Sequence, residues 1–305
     1  MSRQRFAKLP ELLADPPGTS FACNLRAFRL LLLVHVSVQT WAYVFKPFQS
    51  PHIALPRGGS IAVAVVLTAC CALALTRHAR LAPIVALPAL LLRLSWGFLW
   101  IPNHTFLVFV CIALLALLDP DREDEGELLL QSLRWITIVV LFYTGLQKVL
   151  HGCWFRGEFL AWMVSHGTDD WRWAFGWLVP AEEMTRLRSL GYDPGSGPYR
   201  IASVPFIVLS NLTYLAEMTL AVLLLIHRTR VTAAAIAIAL VLLVQLAPRE
   251  FMFFLPFSNL LLLFIPGNQN RRLAPLFVFC YLYLLGAFLG VVPGAEFLVK
   301  ASGRI

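Results

Sequence analysis

The sequence is short of charge. Asp, Glu, Lys and Arg make up 14% of its 305 residues, against a hydrophobic content of 59%, and a soluble domain rarely exceeds about half apolar. That balance excludes an ordinary soluble domain and points to an integral membrane protein. Basic runs interleaved with exposed aromatics are also missing, so the net charge of +8 fits arginines along membrane-facing loops and no nucleic-acid partner is expected. The six cysteines (Cys23, Cys70, Cys71, Cys111, Cys153, Cys280) show no CxxC or zinc-like spacing, which argues against a disulfide framework, and no metal is expected. No internal repeat or low-complexity tract divides the chain. The first 26 residues lack a small-residue cleavage pattern, so the first apolar run reads as a retained helix and not a removed signal peptide.

What the sequence has in abundance is long apolar runs. A helix needs about 20 such residues to cross a bilayer. Runs at 27–45, 60–76, 81–100, 103–119, 131–150, 201–226, 231–247, 250–266 and 273–292 predict an all-α polytopic membrane protein of eight or nine transmembrane helices. Pro83 and Pro88 are expected to kink the third. Residues 1–26 form a cytoplasmic N-terminal tail, 27–292 the transmembrane domain, and 293–305 a C-terminal tail. Lys and Arg in the short loops favour this orientation, and the compact loops suit a bacterial inner membrane.

In that orientation Asn103, His104, Lys148, the segment 151–200 and Gln245 to Arg249 gather at the outer face. The acidic run DPDREDEGE (119–127) reads as a solvated inner loop. Within 151–200, WFRGEFLAWMVSHGTDDWRWAFGWLVP is rich in tryptophan and predicts amphipathic or re-entrant helices at the headgroup level. It reads either as a lid over a lipid-facing pocket or as an interfacial aromatic belt. GYDPGSGPYR (191–200) is a turn-rich connector back to the sixth span.

Ionisable groups inside a bilayer are costly, and are usually paired or functional. Arg93 in the third span and Glu217 in the sixth predict a structural ion pair. His35 in the first reads as a hydrogen-bonded core histidine. Lys148 ends the fifth span, where a lysine can snorkel to the headgroups and complement the helix dipole. Thr144 and Gly145 share its helix face, and Gly145 leaves room for a flat ligand or for a neighbouring backbone. A buried amine would instead become a usable base. Spacing leaves both readings open.

Two segments bear on the choice: PNHTFLVFVCIALLALLDP (102–120) and RWITIVVLFYTGLQKVLHGCWFRGEFL (134–160). In order and spacing they resemble the HTTM membrane domain of the vitamin K-dependent γ-glutamyl carboxylase family. That family has an Asn-His-(Ser/Thr)-aromatic-Leu entry to one span, and later a Tyr-containing helix ending Gly-x-x-Lys, followed by Trp and Gly. NLTYLAEMTLAVLLLIHRTR (211–230) looks like the family too. The resemblance implies Lys148 as the base that deprotonates a reduced vitamin K or menaquinol, with Asn103 and His104 assisting catalysis. It implies Tyr143, Gly145, Trp154 and Gln245 as substrate-binding residues, Gln245 standing where carboxylases have a histidine. Membrane lipids and a lipophilic quinol are the expected partners. The chain has Gln147-Lys148 where the family has two lysines. It stops at Ile305, where the family continues into a large extramembranous region, so carboxylation of a tethered protein is less expected than chemistry on the quinol. The alternatives are a non-catalytic lipid-binding or transport protein, or a membrane subunit serving an unknown redox protein.

Overall fold

A computed structural model of the protein describes residues 22–45, 56–97, 103–167, 169–190, 199–245, 251–267 and 269–292. Every regular element among them is a helix. In chain order these are α1 (Ala22–Phe45), α2 (Arg57–Leu73), α3 (Leu81–Gly97), α4 (Asn103–Leu117), α5 (Glu123–His151), α6 (Glu158–His166), α7 (Asp169–Phe175), a single 3-10 turn (Gly176–Leu178), α8 (Ala181–Ser189), α9 (Val204–Leu225), α10 (Arg230–Gln245), α11 (Phe251–Leu262) and α12 (Gln269–Leu289). Each predicted apolar run falls on one of these helices. Four of them, α1, α5, α9 and α12, are long and apolar enough to cross a membrane, which is compatible with a multi-pass membrane protein. The others on the predicted runs, α2, α3, α4, α10 and α11, are shorter apolar helices. Pro88 lies inside α3, which continues through it to Gly97.

The chain divides into two compact units, residues 1–135 with 250–305, and residues 136–249. In the first, α1 is the central helix and packs on α2, α3, α4, α11 and α12. Phe28, Leu31, Leu32, Leu33 and Val36 are buried on successive turns, the pattern of a helix enclosed on all sides. Lipid tails are as apolar as leucine, so close packing has to hold such helices together. Accordingly α3 carries buried Ala82 and Ala86 one turn apart, which lets a neighbouring backbone approach.

Arginines close two helix ends in this unit, where carbonyls have no intrahelical partner. Arg80 donates to the carbonyls of Leu115 at 2.7 Å and Leu117 at 3.1 Å, at the end of α4. Buried Arg134 donates through two nitrogens to the carbonyl of Leu263, at 3.0 and 2.7 Å, just past α11. The acidic run is more structured than a solvated loop. Asp121 pairs with Arg26 and lies 3.6 Å from Arg29 of α1. Glu123, Asp124 and Glu125 form the first turn of α5, where negative charge complements the helix dipole.

The second unit holds the C-terminal part of α5 with α6 to α10. Helix α9 begins with Pro205 in its first turn, the position where a missing N–H costs nothing. It packs against α10, which presents buried Ala233, Ala234 and Ala237. The segment after α5 packs around one core of Leu160, Ala161, Val164, Leu187, Tyr199 and Phe206, with Trp154, Trp162 and Trp171 laid against it. Gly157, at φ +66°, makes the left-handed turn into α6, and a Cβ there would stand 3.0 Å from Ile201 Cγ2. Most of the connector, 191–198, lies outside the described residues, as do the residues between Phe45 and Pro56.

Candidate functional site

The second unit brings Lys148 and Glu217 together. Lys148 Nζ lies 2.8 Å from Glu217 Oε1 and 2.7 Å from Oε2, so one ammonium donates to both carboxylate oxygens. Their side chains are only 17% and 10% exposed. The same nitrogen lies 3.4 Å from the Thr144 carbonyl and 5.1 Å from the centre of the Trp154 ring, within range of a cation–π contact. Trp154 in turn stacks on Phe159, with ring centres 5.0 Å apart.

Two polar bonds strap the turn after α5 onto α9. Ser210 donates to the Trp154 carbonyl at 2.7 Å, and Asn211 to the Phe155 carbonyl at 3.1 Å. These contacts fix the depth of the ion pair. Lys148 occupies the last turn of α5, the usual place for a lysine that snorkels. Yet its partner lies about 20 Å along α9 from Val204 and about 12 Å from Leu225, at a rise of about 1.5 Å per residue. The end of α5 therefore stops partway along α9, and Lys148 turns inward toward that helix.

Several expectations need correction. Among the described ion pairs Glu217 is held by Lys148, not by Arg93. The physical reason is that α5 and α9 are packed neighbours, with the 145–148 and 214–218 faces in register. Gly145 leaves no room for a ligand. A Cβ there would lie 2.6 Å from Met218 Cγ and 2.8 Å from the Tyr214 carbonyl oxygen, so the glycine serves the approach of α9. Tyr143 is 52% exposed. Gln245 is buried at the last residue of α10, and its Oε1 has no hydrogen-bond partner among the described residues. No hydrogen bond there joins it to Lys148 or Glu217. Glu217 was read as a structural counter-ion, and its role as the partner of Lys148 was missed. The spacing of Tyr214, Glu217 and Met218 on one face, matching that of Gly145 and Lys148, was the available signal.

His104 and Arg93 belong to the first unit, and with them comes a second polar cluster. Arg93 donates to Thr40 Oγ1 at 2.8 Å, and its guanidinium lies 4.7 Å from the centre of the Tyr43 ring. His35 is fully buried, edge-on to Tyr281 with ring centres 5.5 Å apart. Neither of its ring nitrogens has a hydrogen-bond partner among the described residues, contrary to the expectation of a satisfied core histidine. His104 sits against Phe253, with ring centres 5.9 Å apart. The side chain of Asn103 lies outside the described residues. Among those residues, no group of three or more His, Cys, Asp or Glu is placed to hold a metal ion. No family model, curated protein or solved structure matches the chain.

Proposed function

We propose that the protein is a carboxylase-like integral membrane enzyme acting on a quinol or related lipophilic substrate, with the Lys148–Glu217 pair as its proton-handling centre. In this reading the chain has eight or nine spans, the N-terminus is cytoplasmic, and the host is a bacterial inner membrane. The observation that carries the proposal is the inward, doubly hydrogen-bonded Lys148 at mid-length of α9. A rim anchor has no need of a buried carboxylate, whereas a lysine that must shed its proton before acting as a base can pass it to one. The order of the Asn103-His104 and Gly145-x-x-Lys148 motifs supports the same reading.

Chemically, the pair works as a unit. While Glu217 holds it, Lys148 is an ammonium and cannot accept a proton. Transfer of one proton from Nζ to a Glu217 oxygen leaves a neutral amine beside a neutral acid, an exchange that low polarity favours because it removes two buried charges. The amine then takes the hydroxyl proton of a quinol. The resulting ammonium stands against the new quinolate oxygen and stabilises it. Molecular oxygen would be the oxidant, one of its atoms entering the epoxide and the other leaving as water with the two quinol protons. Assisting roles for His104 and Asn103 rest on the sequence resemblance alone.

The test is epoxide formation from reduced vitamin K or menaquinol under oxygen, comparing purified protein with Lys148→Ala and Glu217→Gln. Turnover that falls at least about a hundredfold in both variants supports the proposal. No turnover by folded, monodisperse protein rejects it. A second reading rests on the same geometry: the pair already satisfies both charges without a substrate. It would then tie α5 to α9 in a non-catalytic lipid-binding or transport protein, or in a membrane subunit of a redox partner. Retained turnover in Lys148→Ala would favour a structural role for the pair.

A further inference from the structure

The first unit contains a cation with no counter-charge among the described residues. Arg93 has hydroxyl and aromatic neighbours only. Thr40 Oγ1 accepts from Arg93, and its own proton is already committed to the Val36 carbonyl at 2.7 Å. The Tyr43 ring offers a π face. None of the described ion pairs includes Arg93, whereas Arg80 and Arg134 in the same unit find backbone carbonyls. A guanidinium left unpaired within a membrane bundle is expensive and is normally kept for a ligand or an ion.

A second, independent observation lies beside it. His35 is completely buried with both ring nitrogens unpartnered, and it lies within electrostatic reach of Arg93 and His104. Tyr281, also completely buried, packs edge-on against His35, and its hydroxyl lies beside the side chain of Asn259 on α11. Helices α1 and α3 thus bring an imidazole and a fork of N–H donors within electrostatic reach of each other, with the Tyr281 ring of α12 against the imidazole, and no described carboxylate acts on either.

We propose that this cluster is a binding site for the carboxylate head of a long-chain amphiphile. Arg93 would take the carboxylate through the N–H groups not engaged by Thr40 and Tyr43, because a planar fork matches two carboxylate oxygens. His35 and Tyr281 would complete its hydrogen bonds. One guanidinium balances one carboxylate, whereas a phosphate monoester would leave a second charge buried. The rest of the ligand is apolar because Leu91, Leu92 and Trp96, which flank Arg93 on α3, are exposed hydrophobic residues. An acyl chain can lie along them. The proposal does not rest on the Lys148–Glu217 pair.

The experiment measures retention of radiolabelled hexadecanoate by purified protein in a non-ionic detergent, with hexadecanol as the uncharged competitor. Wild-type protein is expected to bind saturably. Arg93→Gln should weaken binding at least about tenfold, Arg93→Lys should weaken it less, and hexadecanol should compete at least about tenfold worse than unlabelled hexadecanoate. Gel filtration and circular dichroism establish that each variant is folded. If Arg93→Gln does not fold, Tyr281→Phe removes a single hydroxyl and should weaken binding at least about threefold. The proposal is overturned by equal affinity in the folded Arg93→Gln or Tyr281→Phe variant, by equal competition from hexadecanol, or by no saturable binding to folded wild-type protein.

Discussion

Removing one partner of the Lys148–Glu217 pair should destabilise the protein far more than removing both. In Lys148→Met the carboxylate of Glu217 loses its counter-charge while remaining in a nearly closed interior. It can escape by taking a proton. Starting from an ordinary glutamate, that costs at most about 3.7 kcal/mol at pH 7, at about 1.36 kcal/mol per pH unit. In Glu217→Gln the lysine can shed a proton, at a cost of at most about 4.6 kcal/mol on the same scale. These ceilings agree with the roughly 3–5 kcal/mol typical of a broken buried pair. The double variant leaves no orphan charge, so its loss should fall short of the sum of the singles by about 2 kcal/mol or more.

The pH dependence has opposite signs in the two singles. The ceiling for Lys148→Met falls to about 1 kcal/mol at pH 5, because protonating the carboxylate becomes easier as pH drops. The ceiling for Glu217→Gln falls to about 1.9 kcal/mol at pH 9, because deprotonating the amine becomes easier as pH rises. Unfolding free energies from detergent titration, followed by circular dichroism, measure all four proteins. Additivity within about 0.5 kcal/mol, or parallel pH profiles for the singles, would refute the reasoning.

Three further outcomes can be checked with the same preparation. Gly145→Ala should cost about 1–3 kcal/mol in unfolding free energy despite alanine's better helix propensity, because the new Cβ meets the backbone oxygen of Tyr214, which cannot yield without moving α9. Arg134→Met should cost about 1–3 kcal/mol, since the Leu263 carbonyl loses both N–H donors inside a buried site. Burial holds the thiol of Cys153, in the turn after α5, above the usual cysteine range. Its alkylation by iodoacetamide at pH 7 should therefore be slower than that of a cysteine in an unstructured peptide, and should rise about tenfold per pH unit up to that raised value.

The helices were legible because an apolar run of bilayer length has few other ways to satisfy its backbone, and each predicted run falls on one. Which of them stand side by side was not. Arg93 and Glu217 were joined because they were the two formal charges well inside predicted spans, and charge says nothing of helix order. The glycine at 145 carried better information. It marked a face where another backbone comes close, and the face around Tyr214 and Glu217 is the one that uses it. The inner arginines were read as topology signals alone. Arg80 and Arg134 also act as caps for helix carbonyls that lack an intrahelical partner, a role that depends on a three-dimensional helix end which no local spacing records. The acidic run at 119–127 looked like solvent-facing chain because its charges are contiguous, while its first and last parts serve different structures, a pair to α1 and the opening turn of α5.

The depth of Lys148 separates these accounts most directly. A sequence reader sees a lysine three residues from the end of a long helix and expects it to reach water. In the fold, the turn after α5 is tied to Ser210 and Asn211, and α9 continues past it by about two turns before reaching Val204. The core around Leu160 and Phe206 fills the level of those extra turns. A cysteine at position 148, placed in a Glu217→Gln background so that no orphan carboxylate draws in water, should therefore react with a membrane-impermeant maleimide at least about tenfold more slowly than one replacing Trp177, which is 78% exposed. Equal rates in folded protein would mean that the end of α5 opens to water. The lysine would then be a rim anchor that happens to meet a carboxylate, and the proton-handling role built on its burial would fall with it.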